Sequence, residues 1–118
     1  MFTEVEHKSL ISECDEWRKQ LADYRQKIYD LKNELYYFAP GKMDAEVRTG
    51  IEHFHNVFHI QLINIHDLKH EIRNYVIETE KHPTFGHNVA HRRLKDKVNM
   101  LLNDLDQLKE DFHRFIKG

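Results

Sequence analysis

Glycine and proline are nearly absent from this chain, with four of one and two of the other in 118 residues. These residues end helices, so their scarcity makes the places where they do occur informative, and no alternating strand pattern lies between them. Cysteine occurs once, which rules out an intramolecular disulfide and points to a reducing compartment. No apolar run approaches the roughly 18 residues needed to span a bilayer. The acidic start Met1-Phe2-Thr3-Glu4 lacks the basic and apolar segments of a secretory signal. An excess of charge of one sign is missing as well. Eighteen Lys and Arg stand against 20 Asp and Glu, a formal net charge of -2, which removes the electrostatic case for a nucleic-acid or membrane partner. The expectation is a cytoplasmic protein with one domain over residues 1–118, since too little chain remains for a second core.

What is present is a heptad pattern. The few Gly and Pro cluster at Pro40-Gly41 and between Pro83 and Gly86, with Gly50 the one stray. They divide the chain into three helical segments. The first covers about 3–39 and opens on the capping box Thr3-x-x-Glu6. The second covers about 44–81 with Asp44 as N-cap, and the third about 85–117, starting at either Thr84 or Asn88. Apolar residues recur in strict 4-3 spacing: Leu10, Cys14, Trp17, Leu21, Tyr24, Ile28, Leu31, Leu35 and Phe38 in the first segment. Val47, Ile51, Phe54, Phe58, Gln61, Ile65, Leu68, Ile72 and Tyr75 do so in the second. In the third the stripe is His91, Leu94, Val98, Leu101, Leu105, Leu108, Phe112 and Phe115. Three such stripes joined by short loops predict an all-α fold. It is an antiparallel three-helix bundle of long heptad-patterned helices with left-handed coiled-coil packing. Folding about Gly41 and Pro83 layers Leu31 with Phe54 and Phe112 near one end. Mid-bundle, it layers Tyr24 with Gln61 and Leu105, where the hydroxyl and the amide are expected to satisfy each other. The far end becomes polar, combining Leu10, Tyr75 and His91, then His7, Thr79 and His87.

Two stretches resemble a known group. Glu13-Cys14-Asp15-Glu16-Trp17-Arg18-Lys19-Gln20-Leu21, leading to Leu31-Lys32-Asn33-x-Leu35, is one, and Glu52-His53-Phe54-His55-Asn56-Val57-Phe58 is the other. They are similar to short uncharacterised helical, coiled-coil proteins of Bacteroidetes bacteria over roughly residues 13 to 75. The resemblance implies a helical protein and carries no activity with it. This chain departs from that group in His53, His55 and His59 and in its third helix. A spectrin repeat is similar only in architecture.

Ten His are the anomaly. On the second segment His55, His59, His66 and His70 form one stripe of two His-x-x-x-His pairs, and such pairs chelate Zn, Ni or Cu through neutral imidazoles. A second candidate metal cluster is His7, His87 and His91 with Cys14, which the heptad phase directs toward the axis at one end. Glu52-x-x-His55, Asp67-x-x-His70 and Glu110-x-x-His113 have the spacing of di-iron carboxylate bundles, but ligands there must project inward, whereas Glu110 sits opposite the core stripe, Asp67 is on the solvent side of the second segment, and the first offers no inward Glu in the matching layer. There is no Gly-rich phosphate loop, no nucleophile set beside a His, and no His-Glu-x-x-His. No catalytic residue is assigned, and the reading leans away from an enzyme. Cys14 reads as a small buried hydrophobe, and the basic run His91 to Lys97 as a solvated face. Val57, Ile60, Leu62 and Ile63 lie off the core stripe and form a candidate interface. The leading expectation is a non-enzymatic interaction or scaffold protein, a homo-oligomer or a partner of another helical protein, with no cofactor. The alternative is a His-based protein binding Zn, Fe, Ni or Cu.

Overall fold

The computed structural model describes the backbone of residues 4–82 and 88–118 and the side chains of residues 8–82 and 89–118. It holds three helices, α1 (Glu4–Phe38), α2 (Ala45–Lys81) and α3 (Asn88–Lys117), with contacts between every pair. The expected all-α three-helix bundle is therefore what the chain forms. Thr3 and the Glu6 side chain of the capping box, and the alternative helix start at Thr84, lie outside the described residues. The molecule is a rod of 62 × 17 × 16 Å. Its radius of gyration is 18.4 Å, well above the about 13–14 Å of a compact chain of this length. Among the described residues no helix is long and apolar enough to cross a membrane.

The α1–α2 turn shows why the helices stop where they do. Ala39 N–H donates to the Leu35 carbonyl and Lys42 N–H to the Ala39 carbonyl, while Gly41 reverses the chain at φ 81°, a conformation that L side chains rarely adopt. Asp44 then caps α2 through Oδ1, which accepts from the Glu46 and Val47 amides at 2.9 and 3.2 Å.

The 4-3 stripes form the core. Buried side chains include Cys14, Trp17, Leu21, Ile28, Leu31 and Leu35 from α1. From α2 come Phe54, Phe58, Ile65, Leu68, Ile72 and Tyr75, and from α3 His91, Leu94, Val98, Leu105, Leu108 and Phe112. Register follows from the contacts across the axis. Phe54 meets Phe112 and Tyr75 meets His91, so α2 and α3 are antiparallel. Trp17 meets His91 and Phe38 meets Phe115, so α1 and α3 run in parallel. One layer departs from the sequence reading. Tyr24 donates its hydroxyl to Asp106 Oδ1 at 2.8 Å, and half-buried Gln61 accepts from Asn64 on its own helix at 3.1 Å. A Tyr is long enough to reach past the core to the flank of α3, where a charged acceptor makes the stronger bond. That bond, followed by burial, raises the Tyr24 phenol above its ordinary value.

Gly50 also finds its reason here. A Cβ built on it would lie 2.3 Å from Cε1 and 2.6 Å from Cζ of Phe115, a ring that also packs on Phe38 and Phe54. Alanine normally improves a helix interior by about 1 kcal/mol over glycine, but overpacking costs about 1–3 kcal/mol. Gly50→Ala is therefore expected to lower stability by about 1 kcal/mol in urea denaturation. In a Phe115→Ala background the same change is expected to raise stability by a similar amount.

Candidate functional site

At the end of the bundle away from the Gly41 turn, α1, α2 and α3 bring Cys14, Trp17, Tyr75, Thr79 and His91 into the core. The His91 ring sits 4.8 Å from Trp17 and 5.7 Å from Tyr75, centroid to centroid. Its Nε2 lies 2.6 Å from Glu13 Oε1, while its buried Nδ1 has no hydrogen-bond partner among the described residues. The carboxylate therefore fixes the tautomer in which Nε2 carries the hydrogen. Heptad phase placed His91 on the axis correctly but gave no sign of Glu13, which reaches it from beside the α1 stripe. Burial, then the Glu13 and Asp15 charges, push the Cys14 thiol up to about 12, opposed by Arg18. The Tyr75 phenol is likewise raised to about 12 by burial, then by Cys14 and Glu13. A thiol held protonated this way is a poor nucleophile and a poor metal ligand. Thr79 bonds back to the Tyr75 and Val76 carbonyls. Of the expected end cluster, the His7 side chain and His87 lie outside the described residues.

The α2 histidines are brought only partly together. His55, His59, His66 and His70 are all exposed, and the His66 and His70 rings approach to 4.5 Å. Among the described residues no group of three or more His, Cys, Asp or Glu converges as a metal site. The acids Glu52, Asp67 and Glu110 of the di-iron spacing are exposed, as the heptad phase implied for Asp67 and Glu110. His66 and His70 face a groove of about 250 Å³ that they share with Lys69 and Arg73 of α2 and with Arg18 and Arg25 of α1. Four permanent positive charges and no lining carboxylate make that groove hostile to a dication. Sequence reasoning missed it, although the seven-residue spacing of Arg18 and Arg25 beside the core stripe was a readable signal.

A longer groove of about 1150 Å³ follows the same α1–α2 seam to the turn, with Tyr29, Tyr36, Lys42 and Arg48 among its walls. Of the expected interface, Val57 and Leu62 pack against the core and are half-buried, whereas Ile60 and Ile63 are exposed. Their positions flanking the stripe explain the split, because α1 and α3 cover both shoulders of α2 but not its back. No family model, curated protein or solved structure matches the chain.

The raised pKa values set an expectation for alkaline pH. A thiol that stays protonated in the folded chain up to about 12 ionises near 9 once unfolded. Between those values the unfolded state binds fewer protons, so stability is complete below pH 9 and falls as pH rises toward 12. Tyr75 acts in the same direction from 10 upward. Denaturant titrations at a series of pH values are expected to show this decline, with a smaller slope between pH 9 and 10 in Cys14→Ala. Native Cys14 is expected to resist a thiol reagent at pH 8 until the chain is unfolded.

Proposed function

We propose that this chain is a non-enzymatic helical interaction module that self-associates by laying a second copy against the back of α2. The observation that carries the reading is Ile60 and Ile63, 53% and 46% exposed and one turn apart in the middle of a 37-residue helix. Exposed apolar area costs about 25 cal/mol per Å², and a second helix laid along it recovers that cost. A two-fold axis between the copies would set Ile60 of one beside Ile63 of the other, which makes the strip its own complement. The rod shape supports the reading, since a 62 Å molecule offers a helix-length strip on which bundles add helices. A cytoplasmic setting belongs to the same reading, because a lone buried thiol needs no oxidising compartment.

Light scattering at micromolar concentration is expected to give about twice the 14.3 kDa chain mass. Ile60→Asp combined with Ile63→Asp should return the protein to that mass with its helical circular dichroism intact. A wild-type monomer would overturn self-association. Elemental analysis of protein purified without an affinity tag separates this reading from the metal-binding one. Stoichiometric Zn, Fe, Ni or Cu would replace the scaffold with a metal carrier.

A further inference from the structure

We propose that the groove lined by Arg18, Arg25, His66, Lys69, His70 and Arg73 binds a compact polyphosphorylated anion, with two or more phosphoryl groups within about 10 Å. The site is independent of the strip around Ile60 and Ile63. The chain has 20 carboxylates, and the ion pairs among the described residues use other partners: Glu78 with His82, Glu13 with His91, Glu71 with Lys97, Glu34 with His113, and Asp111 with Arg114. Among the described residues, none of Arg18, Arg25, Lys69 and Arg73 has a carboxylate within ion-pair distance. Yet they line one small groove, with Lys69 and Arg73 one turn apart on the same helix, a like-charge spacing that costs stability. An anion seated between the helices removes that repulsion and meets three guanidinium forks, each able to hold a phosphoryl group by two parallel hydrogen bonds.

Dimensions and overall charge restrict the occupant. Arg18 and Arg25 stand two turns apart, about 10 Å along α1, which suits a ligand the length of a tripolyphosphate. Taking the four groove charges from the net -2 leaves -6 on the rest of the molecule. A long polyanion would meet that opposing charge. A compact one seated in the groove meets its lining cations first, while most of that opposing charge lies beyond a Debye length of about 8–10 Å. His66 and His70 face Arg18 and Arg25 from α1 and Lys69 and Arg73 from α2, with no carboxylate among the lining residues.

The test is calorimetric titration of the intact chain with inorganic tripolyphosphate. Saturable binding, one ligand per chain, is expected. Arg18→Gln with Arg73→Gln is expected to weaken it about tenfold or more. Arg92→Gln with Arg93→Gln removes the same charge from exposed positions on α3 and is expected to leave it within about twofold. Circular dichroism confirms that each variant keeps its helices. Absence of saturable binding would overturn the site, as would equal weakening by the two arginine pairs. Tighter binding of a single-stranded oligonucleotide at equal phosphate concentration would overturn the compact-anion assignment in favour of nucleic acid.

Discussion

Each helix carries one continuous apolar stripe, and all three stripes must reach the same axis. Everything else in the structure depends on that constraint. With side chains at 4-3 spacing, burying the stripe fixes the rotation of each helix about its own axis. Once rotation is fixed, the residues beside the stripe have no choice of neighbour. Glu34 meets His113 across the α1–α3 seam at 2.9 Å, Lys97 meets Glu71 across the α2–α3 seam at 2.6 Å, and Tyr24 reaches Asp106. None of these exposed pairs holds the bundle together, since such contacts contribute about 0–1 kcal/mol each. They record a register that the core has already set.

The two ends of the rod use that register differently. Near the Gly41 turn the axis is filled by aromatic rings, with Phe54 touching Phe58, Phe112 and Phe115 at centroid distances of 5.1 to 6.1 Å. Rings at these distances pack edge-on or tilted, and close approach leaves space for only a hydrogen at Gly50. At the other end the same stripe positions hold Cys14, Tyr75 and His91, and the axis takes in polar atoms. Their hydrogen bonds come from outside the stripe, from Glu13, or from the helix backbone, as at Thr79. Among the described residues, the buried side-chain polar atom without a hydrogen-bond partner, His91 Nδ1, lies at that end.

Charge shows the same separation between what is summed and what is placed. A net of -2 describes a nearly neutral chain, yet the α1–α2 seam gathers Arg18, Arg25, Lys69 and Arg73 while the α3 seams are crossed by acid–base pairs. Fields inside proteins are local, because exposed charges more than a Debye length apart hardly feel one another. The composition therefore spoke to long-range steering of extended partners and was silent on a single groove.

The sequence by itself determined the helices, their approximate ends and nearly the whole core. Stripe residues such as Leu21, Ile28, Phe58, Ile72 and Val98 are buried as their spacing required, and Asp44 caps α2 as its position implied. These features are local or periodic, and a period of 3.5 residues can be read without knowing any neighbour. The tertiary structure alone decided which flanking residues meet. It paired His91 with Glu13 and turned Tyr24 to Asp106 in place of Gln61. It covered Val57 and Leu62 while leaving Ile60 and Ile63 open, and it joined two arginines of α1 to a lysine, an arginine and two histidines of α2. The physical reason is one of range. Burial of a stripe is enforced by many contacts at once, whereas a flank pairing depends on which of several polar groups a long side chain reaches after the helices have docked.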